Sequence, residues 1–219
     1  MMLIGQYDSP FVRRVGIALS LYAIPFRHEP WSGFGDTDKI ARFNPLRRVP
    51  TLVMDDGVVM TDSAAILEVL DDMVGPERAM IARSGPDRRE ALRVCALASG
   101  AADKGVSLVY ERRLRETAFP FWVERCTGQI NDTLMALDAA RAERSGPWWF
   151  GERISHADIV LATVLRFLRE ALADDVNVDG QPIINVDDKL ALVAHAARCE
   201  AMPVFQTISQ PFRLTPAST

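Results

Sequence analysis

The chain of 219 residues predicts an α/β segment followed by an all-helical one, and three observations predict it. Up to about residue 75, short apolar runs alternate with amphipathic stretches in the order strand, helix, strand, then strand, turn, strand, helix. Turn residues and charges from Gly75-Pro76-Glu77 through Ser84-Gly85-Pro86-Asp87 then break the apolar periodicity. Beyond them no convincing strand pattern recurs, only long stretches of helical period. These observations divide the chain into residues 1–75, a linker over 76–87, and a helical domain over 88–219.

Met2 to Tyr7 is a short apolar strand that stops at Asp8-Ser9-Pro10, a cap followed by Pro at the first helical position. Val12, Val15, Leu19 and Tyr22 then recur at steps of three and four, so a helix lays one face on a sheet and ends near Ala23-Ile24-Pro25. Phe26 to Pro30 reads as a second strand, which makes a βαβ unit with a parallel pair. A loop with a short helix fills Trp31 to Arg47. Next comes a hairpin, Val49-Pro50-Thr51-Leu52 and Val58-Val59-Met60-Thr61 around Asp55-Asp56-Gly57. The helix behind it has Asp62 and Ser63 at its start and Ile66, Val69, Leu70 and Met73 on its apolar face. The whole first part is βαβ-ββα.

In the second part, one long helix is expected over about 88–116, and another from Phe119-Pro120-Phe121 to Ser145-Gly146-Pro147 with Ile130, Leu134 and Leu137 buried. Ser155-His156-Ala157-Asp158 has the form of a capping box with the shorter acid, and the helix behind it is apolar nearly all round, as befits the centre of a bundle. A polar loop follows Asp174-Asp175, then a helix around Val186 to Cys199 and a short tail with Pro211-Phe212-Arg213.

A hydrophobic share of 48% is enough for real cores in one large domain or two small ones. The net charge of −4 offers no broad basic field, which argues against nucleic acid as a partner. The first residues lack a basic, then apolar, leader, and no window has the ~18 apolar residues of a membrane span, so a cytoplasmic place with no membrane partner is expected. Cys95, Cys126 and Cys199 are far apart and fit reduced thiols better than a disulfide framework. No His, Cys and carboxylate group has metal-ligand spacing, and no metal is expected.

Pro50 stands at the head of a strand that should pair inward, although Pro donates no ladder hydrogen bond, so Val49-Pro50 is read as a cis turn. Such a turn leaves the Val49 N–H and C=O as a short edge that can pair with an extended peptide. Close by, the Ser63 hydroxyl and the first free N–H groups of its helix form an anion site. One small peptide carrying a carboxylate suits both.

The Val-Pro-Thr-Leu strand, the hairpin and the acidic-Ser pair Asp62-Ser63 resemble the glutathione-binding half of the cytosolic glutathione transferases, and the resemblance covers the whole chain. It implies a thioredoxin-like first domain with an all-helical bundle behind it. It also implies glutathione as co-substrate and a homodimer. Ser9-Pro10-Phe11 is similar to the place where serine-type transferases hold the glutathione sulfur and where omega-like classes have Cys-Pro-Phe. A Cys forms mixed disulfides, whereas Ser donates a hydrogen bond, so the departure favours addition or substitution over thiol-disulfide exchange. The plain alternative for Ser9 is a helix cap. Tyr7 is the second candidate, because tyrosine-type transferases use a phenol near the end of this strand.

On the same resemblance, Val49 pairs with glutathione through its backbone beside Pro50, and Asp62 and Ser63 take the γ-glutamyl amine and carboxylate. Arg48 or Lys39 meets the glycine carboxylate, with a solvated surface charge as the alternative for Arg48. Phe11 with Val106, Tyr110, Phe119 and Trp122 is expected to line an apolar co-substrate site between the domains, although such aromatics are often plain core. Asp103 stands where several transferase classes reach the partner's glutathione. The expected function is conjugation of glutathione to small apolar electrophiles. The alternatives are a non-catalytic interaction protein of the stringent-starvation type and a glutathione-dependent isomerase or reductase. The absence of a Ser-Ser-Cys-Ser run and of Cys at position 9 weighs against the last.

Overall fold

The computed structural model of the chain describes residues 1–177 and 179–214, which divide into two compact units, and each is built around its own core. The first contains β1 (Met2–Ile4), α1 (Pro10–Leu21), β2 (Arg27–Glu29), α2 (Thr37–Ala41), β3 (Thr51–Val53), β4 (Val59–Thr61) and α3 (Ser63–Val74). Its four strands stand in the order β2-β1-β3-β4, with β1 parallel to β2 and the other two pairings antiparallel. This is the βαβ-ββα order of a thioredoxin-like domain. Leu3, Ile4 and Leu52 from the sheet meet Val12, Val15 and Leu19 of α1 and Ile66 and Leu70 of α3, all fully buried. Met73, expected on that face, is half exposed, because the buried stripe of the helix runs through Ser63, Ile66, Leu67, Leu70 and Asp71 and leaves Met73 to one side. Helix α1 closes at Leu21, where Ala23 adopts a left-handed φ of 54°.

The second unit, residues 84–200, is helical: α4 (Gly85–Arg113), α5 (Pro120–Ala142), α6 (His156–Ala171) and α7 (Leu190–Glu200). Helix α4 starts inside the stretch expected as linker, because Ser84 and Gly85 begin it and Pro86 sits in its first turn, where the missing N–H costs nothing. Helix α6 is the buried centre, with Ile159, Leu161, Val164, Leu165 and Leu168 all about 1% exposed. At its start Asp158 Oδ2 accepts from the Ser155 N–H and hydroxyl, both at 2.6 Å, and Oδ1 accepts from the Trp149 N–H at 2.7 Å. His195 of α7 lies on the same carboxylate, Nε2 to Oδ1 3.2 Å, and its Nδ1 accepts from Arg141 Nε at 2.9 Å. The imidazole therefore accepts from a buried guanidinium through Nδ1, which fixes the Nε2–H tautomer, and its Nε2 lies beside a buried carboxylate without a hydrogen bond.

Helix α8 (Pro203–Thr207) and the described residues after it group with the first unit, although the sequence reading runs the helical domain over 88–219. Arg13 of α1 explains the attachment. Its side chain is 2% exposed, donates to the Ile208 carbonyl at 2.8 Å and the Phe205 carbonyl at 2.9 Å, and lies over the Phe205 ring. Among the described residues no helix is long and apolar enough to cross a membrane, and no cluster of His, Cys, Asp and Glu could hold a metal ion.

Candidate functional site

The candidate site is assembled on the first turns of α1. Ser9 caps this helix from extended backbone, and its Oγ accepts a long 3.4 Å bond from the Val12 N–H. An accepting hydroxyl keeps its own proton to give, and it stands at the positive end of the helix. Ser9 is half-buried. Gly5, at the end of β1, has φ +131°, and a Cβ there would lie 2.5 Å from Val12 Cγ2 and 2.8 Å from Val49 Cβ. Only glycine lets the strand end, α1 and the Val49 turn meet this closely.

The Val49-Pro50 bond is cis, as the sequence leads one to expect. Among the described residues neither the Val49 N–H nor its C=O takes a hydrogen-bond partner, so the edge is open to an extended chain. Asn44, 1% exposed, fixes the turn from behind: Nδ2 reaches the Arg48 carbonyl at 3.0 Å, Thr51 Oγ1 at 2.9 Å and Thr61 Oγ1 at 3.1 Å, and Oδ1 accepts from the Leu46 N–H. Its part in the site escaped the sequence reading, though Asn44-Pro45 is a turn signal that could have marked it.

Asp62 is the cap of α3, held at a left-handed φ of 67°, with Oδ1 accepting from the Ala64 and Ala65 N–H groups at 2.8 and 3.4 Å. This corrects the expected anion site, because two of the amides thought free are already taken by the cap. Ser63 is the first helical residue, 3% exposed, and its Oγ accepts from Nη2 of Arg14 at 2.5 Å. Arg14 is itself 4% exposed and lies over the Phe11 ring, 5.8 Å from its centroid. Nothing local in the sequence signals it.

Tyr7 stacks on His28 with ring centroids 3.9 Å apart, and its ring fills the space beside Gly16. Burial pushes its phenol up to about 12, the opposite of what a phenolate needs. The His28 ring is set in turn by a 2.7 Å bond between Nε2 and the Gly5 carbonyl. Lys39 pairs with Asp36 at 2.5 Å and sits 5.9 Å from the Trp31 ring. That bond, together with the Ser32 N–H, holds the Asp36 carboxyl below its usual range. Arg48 is exposed, with its backbone fixed by Asn44 and Thr51.

In the second unit Val106 and Tyr110 lie a turn apart on one face of α4, and Trp122 of α5 is half-buried under Lys104 at 5.4 Å. Phe119 is 59% exposed beside Phe121, and Asp103 is on the exposed side of α4.

Two family models match the chain: glutathione S-transferase, N-terminal domain, over residues 8–73, and glutathione S-transferase, C-terminal domain, over residues 120–184. The GST-like protein YibF of Escherichia coli (strain K12) is 36% identical over 113 residues, which are 51% of this chain and 55% of that relative. The chain thus spans little more than half the length of that relative. A probable maleylacetoacetate isomerase of Drosophila melanogaster is 26% identical over 79% of this chain and 71% of its own length. A solved glutathione transferase family member from Pseudomonas fluorescens Pf-5, with bound S-(propanoic acid)-glutathione, is 27% identical with a TM-score of 0.75, covering 96% of this chain and 99% of its own.

Proposed function

We propose, on the premise that the chain belongs to the glutathione S-transferase family, that it conjugates glutathione to small apolar electrophiles with Ser9 as the group that stabilises the thiolate. The observation that carries this is the state of Ser9: its oxygen accepts from Val12, its proton is left to donate, and no cysteine stands in its place. The bound thiol loses its proton to solvent, and the thiolate then attacks the electrophilic carbon. A C–S bond forms, and the displaced electron pair leaves with the departing group or is protonated on the acceptor.

In this reading the Val49 edge beside Pro50 pairs with the peptide backbone, Asp62 takes the γ-glutamyl ammonium and Ser63 its carboxylate. Arg48 or Lys39 meets the glycine carboxylate. The glutathione adduct bound to the Pseudomonas relative supports the ligand. Phe11 of the first unit and Val106, Tyr110, Phe119 and Trp122 of the second are the apolar residues proposed for the electrophile, Asp103 serves the site of a second copy in a homodimer, and three cysteines without a disulfide suit the reducing cytoplasm.

The isomerase relative favours a second reading, glutathione-dependent isomerisation, in which the C–S bond formed is broken again. Retention on immobilised glutathione, with elution by free glutathione, tests the binding. An assay of model electrophiles and of a cis-diacid substrate for isomerisation then separates the two activities. A protein that is not retained and turns over neither is a non-catalytic relative of the fold, and the proposal falls.

A further inference from the structure

We infer that Arg14 is a positioning residue of this site, whose buried guanidinium engages the Ser63 hydroxyl as an acceptor and so turns that hydroxyl into a donor dedicated to a carboxylate. The inference rests on the reading of the site as one for glutathione and goes beyond it by naming what selects the γ-glutamyl head group. A serine hydroxyl has one proton and two lone pairs, and by itself it serves a carboxylate or an ammonium equally well. A guanidinium has only protons to give. With Arg14 Nη2 on the Ser63 oxygen, the hydroxyl proton is what the side chain has left to offer.

The proton has no partner one turn back, since Ser63 opens α3 and the residue four before it, Val59, lies in β4. The guanidinium is itself held in place. Arg14 is 4% exposed on α1, and the Phe11 ring lies against it. Away from water its charge acts more strongly on an anion at Ser63 than a surface cation would. Beside it, exposed Asp62 spends Oδ1 on the Ala64 and Ala65 amides and leaves Oδ2 for an ammonium. Donor and acceptor therefore stand side by side in the sense that an α-amino acid head group requires.

Two ligands and three proteins test this. The ligands are glutathione and γ-aminobutyryl-cysteinyl-glycine, which lacks only the γ-glutamyl α-carboxylate; the proteins are wild type, R14M and R14K, with dissociation constants read by calorimetry. Wild type is expected to bind glutathione at least ten-fold tighter than the analogue. R14M should lose most of that ratio by weakening glutathione about ten-fold while changing the analogue less than two-fold, and R14K should recover part of it. A purely structural role for Arg14 would weaken both ligands equally, and that result, or an unchanged ratio, overturns the inference. Should R14M fail to fold, R14K and R14Q are judged by the same ratio. If wild type binds neither peptide, the glutathione reading itself fails, which is a different result from wild-type binding that is insensitive to position 14.

Discussion

Helices α1 and α6 both begin behind a serine in extended backbone, Ser9 and Ser155, but the polar groups at the two starts have different surroundings. At α6 the carboxylate of Asp158 is 0% exposed and receives the Ser155 N–H, the Ser155 hydroxyl and the Trp149 N–H, with His195 Nε2 3.2 Å away. The Ser155 proton is consumed inside the unit. At α1 no acid stands at the equivalent place, since Val12 follows Ser9 by three, and the hydroxyl is half-buried with one long bond and its proton in hand. The same local signal therefore makes a structural joint where its groups are saturated and a candidate reactive site where one is left over.

The largest break in this comparison is expected from Asp158→Ala. Three buried donors would lose their acceptor at once, and the buried guanidinium of Arg141 would lose a nearby carboxylate that now helps balance it. Removing one partner from such a network costs roughly 3–5 kcal/mol, so the urea midpoint should fall markedly or the chain should fail to fold. Ser155→Ala keeps the Asp158 bonds to the Trp149 and Ser155 amides and should cost only about 1 kcal/mol. Equal losses in the two variants would show that Asp158 acts only as a cap.

The next effect belongs to Ser9→Ala. A 3.4 Å cap bond adds little stability, so the midpoint should move by no more than about 1 kcal/mol. Turnover at neutral pH should fall about ten-fold or more, since ten-fold is ~1.4 kcal/mol and a charge-assisted bond supplies ~1.5–3 kcal/mol. The glutathione KM should stay within about two-fold if, as proposed, Val49, Asp62 and Ser63 hold the peptide. Ultraviolet titration of the bound thiolate should show its pKa rising in the variant. Unchanged turnover with an unchanged titration would leave Ser9 as a cap like Ser155.

Both helix starts were legible in the sequence because a cap is a local pattern, Ser-Pro in one case and Ser-x-x-Asp in the other. The cis turn was legible for the same reason, a Pro placed where a strand needs a donor. What stayed hidden are contacts between residues far apart in the chain. Arg13 and Arg14 carry no local signal of their role, yet one is buried against Phe205 and Ile208 and the other on a serine 49 positions away. Arg141 and His195, 54 positions apart, gave no sign of meeting at Asp158. Hydrophobic period shows which face of a helix is covered, and it carries no information about a polar group that arrives from another element.

A smaller effect is expected at Lys39. Its ammonium is about half exposed and paired to Asp36, so it competes for a glycine carboxylate only through water. Lys39→Ala should raise the glutathione dissociation constant by about three-fold or less, and the difference should shrink as salt rises past the range where exposed charges are screened. A loss that persists at high salt would assign Lys39 a direct, desolvated contact.

The smallest effect, and the sharpest test of Ser9 against its neighbour, is Tyr7→Phe. A phenol that activates a thiol needs its acidity raised, and burial does the reverse here, pushing Tyr7 up to about 12. Its ring packs on His28 and beside Gly16, contacts that phenylalanine reproduces. Turnover between neutral pH and about pH 9 should therefore change less than two-fold. The sign on stability is fixed by the raised value: the folded state keeps the phenol proton longer than the unfolded chain does. Wild type should hold this stability in full below the unfolded phenol's usual range near ~10 and lose it as pH climbs through about 12, and Tyr7→Phe should not show that loss. Denaturant midpoints across that window, set beside pH–rate profiles of both proteins, measure the two effects separately. A drop in turnover comparable to that of Ser9→Ala would return the thiol-activating part to Tyr7 and make Ser9 the counterpart of Ser155 after all.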